Sequence, residues 1–353
     1  MTHPTPGRDA SSPGAPAAFH AATAEMAGRD HPAAVPVEPG VARIAVDLLG
    51  GDSAPAVVVD GALRAMGVDP ELRLLLVGPQ AVADEVLGAL PADQRHRVAV
   101  RAVGGAVGMT DPPQRASRSD TTLRAAAAAV AEDQADALVS AGATGAIVTV
   151  GVLAFGRWPR VRRPALVTTL PAIGGPAVLL DVGGSLEARP AILVGNAVMG
   201  AAYATVVHDL PAPRVGLLSV GVEPGKGDRA RRATDPVLAA LKLGGDARYV
   251  GLVEGYDVAT AARADVVVTD GFTGNILLKG IEGAYALAGG PPAGGGAPRA
   301  AALLGVAGTV VVCHGAAAGE DVASGIALAA HLHRRRAIDR IASSLADLTE
   351  VNP

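Results

Sequence analysis

Aromatic side chains make up only 2 % of this chain of 353 residues. That removes the stacking platforms on which proteins hold single-stranded nucleic acid. A basic excess is missing too: 30 Lys and Arg stand against 34 Asp and Glu, a net charge of −4. Without it there is no bulk attraction for a phosphate backbone, and a nucleic-acid partner is not expected. Cysteine occurs once, as Cys313, so no intramolecular disulfide can form and a reducing, cytoplasmic setting is expected. Cys313 ends the apolar run TVVVC and reads as a small buried hydrophobe, not a nucleophile. No stretch reads as long and apolar enough to cross a bilayer. The charged-then-apolar order of a secretory signal is absent from the first residues.

Ala, Gly and Val dominate, and 50 % of the residues are hydrophobic, enough for a large core. Residues 1–41 are rich in Pro, Ala, Gly, His and Ser and carry no apolar period; they read as a disordered extension to a domain over 42–350. From Arg43 onward, short β-branched runs alternate with helical patterns, which implies a mainly parallel sheet with helices on both faces. Strands are expected at 44–48, 72–77, 98–103, 137–140, 165–170, 177–181, 215–220, 249–253, 264–269 and 309–313. The strands at 165–170 and 177–181 are expected to pair across Gly174-Gly175-Pro176. Thr110–Asp120, with Pro112, Pro113, Arg115 and Arg118, reads as a loop, as does Ala288–Pro298. A short helix is expected over 258–263, and one continuous helix, Glu320–Leu345, closes the chain.

The stretch ADVVVTDGFTGNILLKGIEG, Ala264 to Gly283, states the local logic most clearly. A buried strand runs into a turn with Asp270, Gly271, Thr273, Gly274 and Asn275, and a helix is expected from Ile276, with Lys279 one turn in. A helix amino end offers free N–H groups and a positive dipole end to an anion, and Lys279 adds a full charge. Six strands end in such glycine turns, at Gly50, Gly142, Gly183, Gly221, Gly271 and Gly315. If all lie on one sheet edge, they surround one small-molecule cleft, and that is the expectation.

These turns, in this order, resemble the PlsX-type phosphate acyltransferases, which transfer an acyl group from acyl carrier protein to phosphate. The resemblance runs from about Arg43 to Leu345. It rests on AVDLLGGDSAP, SAGATGA, RPALVTTLP, LLDVGGSLEARP, RVGLLSVGVEPGKGD, VEGYD, TDGFTGNILLKGIEG and LLGV followed by CHG. It implies a doubly wound α/β/α fold like that of the isocitrate and isopropylmalate dehydrogenases, a homodimer, and no metal or organic cofactor. It also implies transfer of a long acyl chain from acyl carrier protein to inorganic phosphate, giving acyl phosphate for phospholipid synthesis. Phosphate is itself the nucleophile, so such a site needs cations and N–H donors instead of a catalytic serine or cysteine. Lys279, Asn275, His314 and Asp270 are the catalytic candidates. Asp47, Gly50, Gly51, Asp52, Gly142, Thr144, Gly145, Asp181, Gly183, Glu223, Lys226, Gly271 and Gly274 are the candidates for binding substrate. Most of the aspartates read as orienters of cations and amides or as helix caps.

The chain departs from the family pattern at the turns. Ser53 stands for a histidine, Ala143, Ser185 and Ser219 for asparagines, and Ala316 and Ala317 for hydroxyl residues. Only Glu223 remains of an acidic pair, and a helical, partly basic insert is reduced to Ala284–Arg299, so weak or no membrane association is expected. These losses leave a second reading: a low-activity relative that binds phosphate, acyl phosphate or acyl carrier protein in an accessory role. A dehydrogenase of the related fold is disfavoured, because neither its metal-binding carboxylates nor its nicotinamide-contact pattern is apparent.

Overall fold

The computed structural model describes residues 40–117, 120–187, 189–291 and 299–346. The expected extension over 1–41, apart from its last two residues, lies outside the described residues, as do Arg118 and most of the Ala288–Pro298 loop.

In chain order the strands are β1 (Ala42–Asp47), β2 (Leu72–Gly78), β3 (Val98–Ala102), β4 (Ala137–Ser140), β5 (Ala165–Ala172), β6 (Gly175–Leu180), β7 (Arg214–Leu218), β8 (Arg248–Val253), β9 (Val266–Val268), β10 (Ala300–Leu304) and β11 (Thr309–Cys313). The helices are α1 (Ala56–Val68), α2 (Gln80–Ala89), α3 (Thr122–Ala131), α4 (Thr144–Phe155), α5 (Pro190–His208), α6 (Arg229–Ala240), α7 (Gly255–Thr260), α8 (Gly271–Leu287), α9 (Gly319–Arg334) and α10 (Ala337–Ala346). The strands form one sheet in the order β3-β2-β1-β4-β11-β10-β5-β6-β9-β7-β8. β4, β9 and β11 are buried at every position, as expected of apolar runs covered on both faces. Apolar side chains of α1, α2, α5, α6, α9 and α10 join the core on one face of the sheet. Those of α3, α4, α7 and α8 join the core on the other, so the sheet is doubly wound.

Strand direction decides where the turns go. β3, β2, β1, β4 and β11 are mutually parallel. β10 is antiparallel to both β11 and β5, and β5 is antiparallel to β6 in the expected hairpin. β6, β9, β7 and β8 are again mutually parallel. Three reversals therefore separate β11 from β6, and the two parallel blocks point opposite ways.

Four sequence expectations need correction. β10, AAALL, has no β-branched residue to announce a strand; it forms as an antiparallel filler between β11 and β5. The closing helix is two helices, broken where Arg336 takes φ +50°. The arginines at that joint are latched elsewhere: Arg334 pairs with Asp69 at 2.7 Å, and Arg335 bonds the Val206 carbonyl and Asp209. The short helix begins at Gly255, with Asp257 accepting from the Glu254 N–H, instead of at Val258. α5, finally, is 19 residues long and apolar enough to span a membrane by length and composition. Two-thirds of it is buried inside the protein, so it is here a core helix, carrying in Asn196 a buried amide with no hydrogen-bond partner in the structure.

His208 at the end of α5 is expected to make the fold sensitive to acid. Burial, reinforced by the charges of His331 and Arg335, pushes its imidazole down to about 4. The Thr169 hydroxyl lies 2.8 Å from its Nε2. Between pH 4 and the ordinary value near 6.5, the unfolded chain binds a proton here that the native state does not, so stability rises with pH across that window. Acidification from pH 7 to pH 4.5 is expected to withdraw roughly 2–3 kcal/mol through this group. Urea unfolding at both pH values should show a smaller difference for His208→Gln; an equal loss in both proteins would assign the acid sensitivity elsewhere.

Candidate active site

Because the two strand blocks run oppositely, the six glycine turns do not share one edge. Gly50, Gly142 and Gly315 follow β1, β4 and β11 at one edge; Gly183, Gly221 and Gly271 follow β6, β7 and β9 at the other. The single-cleft expectation is corrected accordingly. Repetition of strand, turn and helix places each turn at a strand's carboxyl end but says nothing about which way that strand points.

At the β1/β4/β11 edge, the turns are knit together from below by Asp47. Its Oδ1 accepts from Thr122 Oγ1 at 2.6 Å and from the Leu49 N–H; its Oδ2 accepts from Ser140 Oγ at 2.7 Å. Ser140 Oγ in turn accepts from the Gly142 N–H at 3.1 Å. Burial pushes the Asp47 carboxyl above its ordinary value, against those hydrogen bonds. Asp47 thus holds the turn, with both carboxylate oxygens engaged by the protein itself. Gly50 must be glycine: a Cβ there would lie 2.6 Å from Ser140 Oγ and 2.9 Å from the Gly142 nitrogen. The Asp52 N–H donates to the Gly315 carbonyl at 2.8 Å, which joins the β1 and β11 turns. Gly51 sits against Ala141 and Gly315, Met109 lies over Gly315, and Pro113 lies over Gly145.

α4 opens at this edge with Thr144 and Gly145 in its first turn, and its cap position, Ala143, supplies no side-chain hydrogen bond. α3, by contrast, is capped by Thr121 Oγ1, which accepts from the Arg124 N–H. The first-turn amides of α4 therefore keep their capacity for an external anion.

His314, directly after β11, receives a charged group from α8. Lys279 Nζ lies 3.0 Å from His314 Nδ1 and 2.8 Å from Glu282 Oε2, and His314 Nε2 lies 2.9 Å from Glu282 Oε1. An ammonium can only donate, so Nδ1 accepts and the Nε2–H donates to Glu282. Partial burial opposes ionisation of Glu282, but the His314 and Lys279 hydrogen bonds outweigh it and hold its carboxyl below the ordinary range. Lys279 keeps 47 % of its side chain exposed, so its ammonium is accessible to a ligand.

The start of α8 lies at the other edge and differs from the expectation. The helix begins at Gly271, so Gly271, Thr273, Gly274 and Asn275 are helical and Lys279 stands two turns in. Asp270 is the cap: it accepts from the Thr273 N–H at 2.9 Å and the Thr273 hydroxyl at 2.8 Å. It also pairs with buried Arg231 at 2.7 Å. Burial works against its ionisation, yet the Thr273 N–H and the Arg231 guanidinium hold its carboxyl below the usual value. Both oxygens are occupied by the protein itself.

Asp181 has a similar task. It accepts from the N–H groups of Leu166, Gly183, Gly184 and Ser185, while burial pushes its carboxyl up to about 6. The turn it shapes receives α8: the Gly271 N–H donates to the Ser185 carbonyl and Asn275 Nδ2 to the Val182 carbonyl. Glu223 and Lys226, 4.0 Å apart, sit on the exposed turn after β7 at this same edge. Asn275, Lys279 and Glu282 follow one face of α8 at spacings of four and three. The helix thus joins the Asp181 turn at one edge to His314 at the other. Thr122, Ser140, Arg231 and Glu282 are the partners that sequence reasoning missed as individuals. For Glu282 a signal existed, its position three residues after Lys279; for the others the contacts are long-range.

A family profile described as "Fatty acid synthesis protein" matches residues 42–289. A "Phosphate acyltransferase" of Thermobifida fusca is 37 % identical over 339 residues, covering 87 % of this chain and 92 % of that protein. One from Bacillus subtilis is 41 % identical over 244 residues, covering 68 % of this chain and 71 % of that protein. Among solved structures, a phosphotransacetylase from Streptococcus pyogenes superposes with a TM-score of 0.60 at 17 % identity, over 92 % of this chain and 99 % of that one. At that identity the likeness is one of fold.

Proposed function

The chain belongs to the phosphate acyltransferase family, and from that premise we propose that the β1/β4/β11 edge is where its reaction takes place. The protein is an acyltransferase: it transfers an acyl group to phosphate for phospholipid synthesis. The observation that carries the site assignment is the Glu282–His314–Lys279 chain standing at the edge where α4 begins without a side-chain cap.

The chemistry follows from what each group can do. The α4 amides of Thr144 and Gly145 and the Lys279 ammonium hold the phosphate dianion. Glu282 and His314 fix the lysine head, so that it need not be ordered when substrate arrives. A phosphate oxygen attacks the thioester carbonyl, the carbonyl oxygen gathers charge, and backbone N–H groups of the glycine turns stabilise it. Collapse expels the thiolate and leaves acyl phosphate. No protein nucleophile is needed, and Cys313 is unsuited to be one: it is buried, and burial pushes its thiol up to about 12.

Acyl carrier protein is the acyl donor in this reading, the location is cytoplasmic, and the assembly is a homodimer. What supports a second copy is apolar surface on α8, where Phe272 and Ile276, four residues apart, are 58 % and 57 % exposed. The reaction is tested by incubating the protein with an acyl carrier protein thioester and phosphate and trapping the product with hydroxylamine. Phosphate-dependent acyl hydroxamate is expected; release of free fatty acid at the same rate with and without phosphate would sink the reading.

A further inference from the structure

The edge that carries the Asp181 turn has a cavity of its own, of about 420 Å³. Arg162, Arg163 and Arg189 line it, together with Leu186, Ala191 and Ile192. The arginines come from two separate segments. Arg162 and Arg163 end the run RWPRVRR, 157–163, in which Arg157 donates to the Arg162 carbonyl at 2.6 Å and so steadies the backbone beneath them. Arg189 precedes Pro190, the first residue of α5, whose cap position gives no side-chain hydrogen bond.

The charge is poorly compensated. Glu187 is the acidic residue lining the cavity; it stands 3.6 Å from Arg189, with both side chains more than 70 % exposed. Among the described residues, neither Arg162 nor Arg163 makes an ion pair, and both are exposed. Guanidinium groups, planar forks of N–H donors, meeting in a concavity of a protein of net charge −4, are a recognition feature for phosphate oxygens. A cavity of this volume falls in the range of small-molecule sites and exceeds what a bare phosphate fills. Leu186, Ala191 and Ile192 also line the cavity, so it offers apolar surface beside the charges.

We propose that this cavity is a second binding site, separate from the reaction edge, for a phosphate-headed amphiphile: a phosphomonoester or acyl phosphate head against the arginines with its chain along Leu186 and Ile192. The protein's own product has this chemistry, and so does a phosphomonoester lipid in a bilayer. The site stands whether or not the reaction edge has been assigned correctly, because its ligand is read by direct binding.

Dodecyl phosphate, which cannot transfer an acyl group, is the probe. It is titrated calorimetrically below its micelle concentration into the full chain, the Arg162→Ala/Arg163→Ala double variant, the Arg162→Lys/Arg163→Lys variant and Lys279→Ala. Loss of the two guanidiniums is expected to weaken binding about tenfold or more, with the lysine pair intermediate, and Lys279→Ala is expected to retain this binding event. Circular dichroism confirms that each variant folds. Equal binding by the full chain and the double alanine variant would overturn the proposal. Inorganic phosphate binding as tightly as dodecyl phosphate would overturn the role of the apolar surface. Co-sedimentation with phosphatidate vesicles without any binding of monomeric dodecyl phosphate would replace the cavity with a membrane-facing surface.

Discussion

Replacing Lys279 with alanine is expected to lower acyl phosphate formation about 10²–10³-fold, the effect of removing one placed donor from a developing charge. The structure explains why so exposed a lysine matters. Its ammonium is already oriented by His314 and Glu282, at 3.0 and 2.8 Å, so little ordering remains when phosphate binds. The same geometry predicts that folding survives. Lys279 is about half exposed and its ion pair with Glu282 lies near the surface, where such pairs contribute about 0–1 kcal/mol. Initial rates at varied phosphate, together with thermal unfolding, separate the two effects. A variant that folds normally and turns over at the wild-type rate would show that Lys279 is a surface charge.

Gly274→Ala is expected to have the largest effect on stability, about 3 kcal/mol or more. A Cβ at that position would lie 1.9 Å from the Asp181 carbonyl oxygen and 2.9 Å from Thr269 Cγ2. The obstacle is backbone, and it cannot move aside cheaply. Asp181 is held by four N–H donors on its carboxylate, and its own N–H donates to the Thr269 carbonyl. Gly280, on the same helix, meets nothing within 4 Å, so Gly280→Ala should be neutral or stabilise by up to about 1 kcal/mol through helix propensity. Thermal unfolding of both variants checks the pair. Equal midpoints would mean that α8 is not docked on the Asp181 turn as described.

Much of this was legible in the sequence because it is local. Alternating apolar runs and glycine turns locate ten of the strands to within a few residues. The β5–β6 hairpin is announced by Gly174-Gly175-Pro176. What stayed hidden is non-local. β10 carries no strand-forming residue of its own and exists because β11 and β5 need a partner between them. Without β10 the sequence does not show how many reversals separate the two strand blocks, and repetition of similar turns alone does not assign them to an edge. The start of α8 was misplaced because glycine and asparagine signal a turn; here the glycines are what lets the helix approach the Asp181 backbone.

The departures from the family pattern also read differently in three dimensions. At Ser185 the backbone does the holding, its N–H to Asp181 and its carbonyl from the Gly271 N–H, so loss of an amide side chain leaves that turn intact. Ala143 leaves the α4 amides uncapped and open to a ligand. The backbone framework of the Asp181 turn thus persists where a side chain has changed.

The account rests on the β1/β4/β11 edge as the place where phosphate is held, and a heavy-atom phosphate mimic tests that directly. Crystals soaked in tungstate are expected to show an anomalous difference peak between the first turn of α4, at Thr144 and Gly145, and the Lys279–His314 pair. A map in which every tungstate peak lies at the Asp181 edge, with none beside Lys279, would contradict it.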